Sequence, residues 1–250
     1  MASFSDCPLE ITAVIIESLQ DDFTALKACS MTCRSFLPFC RAFIFRFIDL
    51  TTRIVSFGRL LDSNPSISDY VHNLVYQLQY HDLDHSVPRV LIQFHRLHFF
   101  RLIGDEAHWN ALPQPFRDSI LHIIRLPSLT SLDISYFTVF PITIFSRCLN
   151  LTSLVLTNIL DDSVDEYRSI LNVVPQLSSF AFDPSIGKYV GKLVGAHQSN
   201  GPPILGFHNL RSLRVTVDKD KDFAVIHVLL KATNKLETLE CIGVFHNCPF

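Results

Sequence analysis

His81, Asp82, Asp84 and His85 place two imidazoles four residues apart with two carboxylates between them, a set that could hold a divalent metal for hydrolysis. They stand just before Pro88, where a polar loop is the simpler reading. Cys29 and Cys33 share one face of a helix and could ligate zinc or form a redox pair. No second ligand pair follows at zinc-finger spacing, so buried core thiols are expected instead. Gly187, Gly191 and Gly195 stand beside Lys188 and Lys192, but the phosphate-binding loop needs four residues between its glycines and a hydroxyl after its lysine. Here Lys192 is followed by Leu193. The chain has no G-x-S-x-G, G-x-G-x-x-G or H-E-x-x-H motif, and His95 and His98 interrupt an apolar pattern as surface hydrogen-bonding residues would. The expectation is a protein that is not an enzyme and takes no cofactor or metal.

Surplus apolar surface is the stronger signal. From Pro8, at a plausible first helical position, Leu9, Ile11, Ile15, Ile16 and Leu19 recur at helical spacing. Asp21 and Asp22 interrupt them, and Phe23, Leu26, Cys29, Ser30 and Cys33 form a second set spaced by three and four. Two or three short helices of this size cannot bury so many apolar groups by themselves. A partner is expected to cover the remainder.

The order of these residues resembles an F-box. The resemblance runs through the Pro8-Leu9-x-Ile11 opening, the aliphatic residues to Leu19, the Asp22-Phe23-x-x-Leu26 step and Cys33-Arg34-Ser35-Phe36. It covers nearly the whole motif, about residues 6 to 48, with Cys7 where the family has Leu and Phe36 where Trp is common. It implies docking on a Skp-type adaptor, which joins cullin and RING subunits into a ubiquitin ligase. Matched to the family's apolar positions, the docking residues are Pro8, Leu9, Ile11, Ile15, Leu19, Phe23, Leu26 and Cys33.

With 250 residues, 48% of them hydrophobic and 18% charged, the chain is expected to fold throughout. A net charge of −3 with scattered Lys and Arg disfavours nucleic acid and anionic membranes. Asp6, Pro8 and Glu10 do not suit a signal peptide, and no apolar run reaches the length of a membrane helix. Seven cysteines, an odd number mostly within apolar patterns, suit a reducing compartment. The expected location is cytoplasmic or nuclear. Cys248 lies third from the end, one place from a prenylation site.

Beyond the first helices one spacing recurs: apolar-x-x-apolar-x-x-apolar-x-apolar. It stands at Phe94, Leu97, Phe100 and Leu102, and starts again at Leu126, Cys148, Val174 and Phe207, with weaker copies from Ala42, Ser68 and Thr233. The second members are Phe45, Val71, Leu97, Leu129, Leu151, Leu177, Leu210 and Leu236, at intervals of about 26 residues with longer gaps before Leu129 and Leu210. This is a leucine-rich-repeat period. In each copy the last two apolar residues point to one face of a short strand, and one copy cannot close a core without its neighbours. Helices are expected at 54–61, 88–94, 116–126, 142–148, 164–173 and 223–230, with a capping box at Ser163 and Glu166 and Pro141 in a first turn. Residues 183–206 read as a surface loop, and 218–222 as a solvated turn. Residues 244–250 either cap the last strand or leave its edge open.

The predicted fold is α/β: a small all-helical F-box over 1–48, then a right-handed α/β leucine-rich-repeat solenoid over 49–250 with a parallel sheet on its concave face. No flexible linker separates the two. Outward strand positions are Arg101, Asp133, Ser135, Val155, Thr157, Ala181, Asp183, Arg214, Thr216 and Glu240. Of these, Arg101, Asp133, Ser135, Thr157, Asp183, Arg214, Thr216 and Glu240 are the candidates for holding a client protein, although a merely solvated face reads equally well. The expected function is a substrate-recognition adaptor of a Skp-cullin-F-box ligase. The alternative is a repeat scaffold without a ligase, its first helices serving only as a cap.

Overall fold

A computed structural model describes residues 8–79, 86–161, 174–194, 203–218 and 220–243. Three short helices come first: α1 (Leu9–Glu17), α2 (Phe23–Thr32) and α3 (Leu37–Ile44). Pro8 precedes α1 as its cap residue rather than occupying the first turn, and its carbonyl accepts the Thr12 N–H. The Asp22 carboxylate caps α2 by accepting the Ala25 N–H at 2.9 Å, so the break in the apolar pattern is a helix start. These helices close a small core of their own from Ile16, Leu26, Phe36 and Cys40, with Leu19, Cys29, Cys33, Phe39, Phe43 and Ile44 packed around it.

Eight strands follow in one sheet, all parallel and in sequence order. They are β1 (Phe47–Asp49), β2 (Asn73–Gln77), β3 (Phe99–His108), β4 (Ser131–Val139), β5 (Ser153–Asp161), β6 (Ser179–Phe182), β7 (Ser212–Val217) and β8 (Thr238–Gly243). The recurring spacing maps onto them without slippage: Ile48, Leu74, Phe100, Leu132, Leu154, Phe180, Leu213 and Leu239 align across the sheet. From β2 to β7 these inward residues, and those two places on, are buried in one continuous core. The boundary drawn at residue 48 falls inside β1.

Register is held at the N-terminal edge by a second ladder. The carbonyls of Arg46, His72, His98, Thr130, Thr152, Ser178 and Arg211 each accept two N–H groups from the next strand. Thr130, Thr152 and Ser178 also donate their hydroxyls to the carbonyl behind them, at 3.2, 3.1 and 3.1 Å.

Return segments cover the inward face: α4 (Ile54–Ser63), α5 (Ser86–Leu91), α6 (Gln114–Ile124), α7 (Gly187–Val194) and α8 (Asp220–Ala232). Helix α4 packs closely on α5 at Gly58, where an added Cβ would lie 2.8 Å from the Val90 Cγ2. Residues 142–147 form a 3-10 segment instead of an α-helix, which brings Ile142, Ile144 and Phe145 inward in a shorter span. The reading of 183–206 as a loop is corrected where the chain is described. A 3-10 turn at Pro184–Ile186 leads into α7, because Ile186, Tyr189, Val190 and Leu193 share one face and are buried in the main core. The helix expected over 164–173, its Ser163 and Glu166, and residues 244–250 lie outside the described residues.

Strands β3, β4 and β5 run past the expected two inward positions. Beyond Ile103, Ser135 and Thr157, which are in register, the backbone turns left-handed at Asp105 and Glu106 (φ 50° and 61°), Tyr136 (φ 58°) and Asn158 (φ 50°). This is a β-bulge stacked through three strands, and it returns Ala107, Phe137 and Ile159 to the core side. Beneath it Trp109, Phe137, Phe140 and Phe145 form an aromatic cluster, Trp109 and Phe140 meeting edge-on at 5.0 Å between centroids.

Candidate functional site

Two surfaces carry unspent chemistry, one on the opening helices and one on the outward face of the sheet. On α1 the inner face takes Thr12 and Ile16, and Leu19 follows half-buried. Leu9, Ile11, Val14 and Ile15 therefore face solvent, with Phe23 and Met31 of α2. Six of the fifteen exposed large hydrophobic side chains among the described residues lie within these two helices. Phe23 is 60% exposed, which no packing among the described residues explains.

Burial divides the predicted docking residues. Pro8, Leu9, Ile11, Ile15 and Phe23 are exposed, while Leu19 and Cys33 are half-buried against the small core. Leu26, at 1% exposure, packs in the core of the helices themselves. Val14 and Met31, which the sequence reading did not name, are also exposed on these helices.

Cysteine chemistry varies with position. Cys33 sits 2.9 Å from the Ser35 hydroxyl, and that hydrogen bond, followed by one from the Ser35 backbone, lowers its thiol below the ordinary value. Burial raises Cys40, with Cys29 adding to the effect, and pushes Cys148 up to about 12. Among the five described cysteines, iodoacetamide at neutral pH is expected to modify Cys33 and the exposed Cys241 first, and Cys40 and Cys148 only on unfolding. Peptide mapping over time checks this order, and Ser35→Ala should slow Cys33.

The outward face of the sheet is ordered in rows. One row reads Asp49, Val75, Arg101, Asp133, Val155, Ala181, Arg214 and Glu240 across β1 to β8. Four of its five charges cancel in pairs, Arg101 Nε donating to Asp133 at 2.6 Å and Arg214 Nε to Glu240 at 2.5 Å, while Asp49 accepts the Thr51 N–H. Arg101 also lies 6.0 Å from the centre of the Phe99 ring. Burial raises the Asp133 carboxyl above the usual range, and Arg101 offsets this only in part. Val155 and Ala181 leave a small, uncharged stretch between the two pairs.

Three predicted client residues are corrected by their burial. Asp133 and Ser135 are buried, Asp133 in its ion pair with Arg101. Asp183 is buried because its carboxylate accepts the N–H groups of Asn158 and Ser185, at 2.6 and 3.0 Å, and so fixes the turn into α7. Arg101, Arg214 and Glu240 are exposed and Thr157 and Thr216 half-buried. The first outward position of each strand was missed: Ser131, Ser153, Ser179, Ser212 and Thr238 stand in register as a row of hydroxyls. Its signal was the residue just before the third apolar member of each copy.

The His81, Asp82, Asp84 and His85 group lies outside the described residues. Among those described, no three His, Cys, Asp or Glu side chains come together as metal ligands, and no helix is long and apolar enough to cross a membrane. No protein-family model and no curated protein matches the chain.

Proposed function

We propose that this chain is a substrate-recognition adaptor of a Skp-cullin-F-box ubiquitin ligase. In this reading α1 to α3 are an F-box that docks on a Skp-type adaptor, and the repeats behind them are a leucine-rich-repeat solenoid that presents a client protein. The observation that carries it is the gathering of Leu9, Ile11, Val14, Ile15, Phe23 and Met31 on helices whose small core is already closed without them. Such a face is unstable in water and fits a partner's groove. The chain performs no chemistry of its own here. It raises the concentration of a client near the cullin and RING subunits.

The second reading, a scaffold whose first helices only cap the repeats, has support in the contact of α3 with the turn before β2. A cap, however, needs a polar outer face, and this one is apolar. Co-expression with a Skp-type adaptor tests the choice. A one-to-one complex on size exclusion is expected, and its absence sinks the ligase reading in favour of the scaffold.

A further inference from the structure

The N-terminal edge of the sheet carries a cluster of basic side chains that the ligase reading does not use. Arg46 ends the turn into β1, His72 precedes β2, and His98 precedes β3. Their backbones are tied in line, His72 N–H to the Arg46 carbonyl at 3.1 Å and His98 N–H to the His72 carbonyl at 2.8 Å. The two imidazoles meet edge-on, 4.9 Å between centroids, and Arg96 approaches from the turn after α5. Arg46, Arg96 and His98 are exposed, and His72 is half-buried. Neither arginine makes an ion pair or side-chain hydrogen bond with the described residues, whereas Arg101, Arg211 and Arg214 are all paired.

From this geometry we infer that Arg46, His72, Arg96 and His98 bind an acidic segment of a polypeptide, taking up carboxylates of successive Asp or Glu side chains. Unpaired guanidiniums are the natural partners of carboxylates. The charges are spread along the edge: Arg46 and His98 are two strands apart, about 10 Å at the usual strand spacing. That spread suits several singly charged groups better than one phosphoryl group. Carboxylates on alternate residues of an extended peptide recur at about 7 Å, a repeat that fits basic groups spread along this edge.

Burial first, then His98, Arg46 and Arg96, hold His72 below its ordinary value. Among the described residues no carboxylate counters them: neither Asp49 of β1 nor Asp69 of the turn before β2 is among the groups acting on it, and Arg101 of β3 is engaged by Asp133. A bound carboxylate supplies a counter-charge, so binding and protonation of His72 reinforce each other. Affinity therefore rises as pH falls.

The test uses the full chain and a fluorescent glutamate-rich peptide, read by anisotropy. Binding should tighten about tenfold between about pH 7.5 and about pH 5.5. Arg46→Gln with Arg96→Gln should weaken it by at least about tenfold, and His72→Asn should flatten the pH dependence. Lys231→Gln, on α8 at the other end of the sheet, should leave it unchanged. Circular dichroism confirms that each variant is folded. Absence of saturable binding, or binding indifferent to the double arginine variant, overturns the inference. So does a phosphoserine peptide or a single-stranded RNA that binds where the glutamate peptide does not. The site uses no residue of α1 or α2, so adaptor binding, measured in parallel, can fail or succeed independently.

Discussion

Leu9→Ala and Phe23→Ala introduced together should reduce affinity for a Skp-type adaptor by about three orders of magnitude while leaving the thermal midpoint unchanged. Each side chain is 60% exposed, so its truncation opens no cavity in the chain. If each anchors the proposed interface, its loss costs about 2 kcal/mol of binding, and two such losses give about 4 kcal/mol. Leu26→Ala provides the contrast. Leu26 is buried with Ile16, Phe36 and Cys40, so its truncation should cost about 2 to 5 kcal/mol of folding stability and weaken the adaptor complex only through that loss. Calorimetry of both proteins, with and without adaptor, separates the effects. A double variant that binds as tightly as the parent removes the exposed face from the interface.

The second large effect belongs to the stacked bulge. Gly104→Ala is expected to destabilise the protein by about 3 kcal/mol, at the upper end of what overpacking costs. A Cβ at this position would lie 2.5 and 2.6 Å from two carbons of the Phe137 ring and 2.6 Å from the Tyr136 carbonyl oxygen. Relief by rotation is closed off, because Phe137 is fully buried against Trp109 and Phe140. Movement of the backbone would disturb the left-handed Tyr136. Urea denaturation reads the difference, and a midpoint equal to that of the parent would show that the bulge yields more readily than its packing implies.

What could be read from the residues followed from strict periodicity. The spacing of Leu97, Phe100 and Leu102 and its seven counterparts placed eight parallel strands, because two residues set two apart must share a face of the sheet. The same logic failed at Ser135 and Asp183. Their outward direction is legible, but their burial, set for Asp183 by the turn into α7, is tertiary. Helix α7 was hidden by Gly187, Gly191 and Gly195, whose low helical propensity masks the apolar face of Tyr189, Val190 and Leu193. On the opening helices the periodicity named the apolar residues without saying which side of each helix the small core would claim. For Leu26 and Phe23, three residues apart, the answers were opposite.

The unbroken order of the strands also bears on how the chain is made. Each strand from β2 to β7 is bonded to the one synthesised before it and the one synthesised after it. Every long-range pairing therefore closes over a single repeat, and none waits for a distant segment to leave the ribosome. The growing sheet is a template for its own next strand, so folding can keep pace with translation.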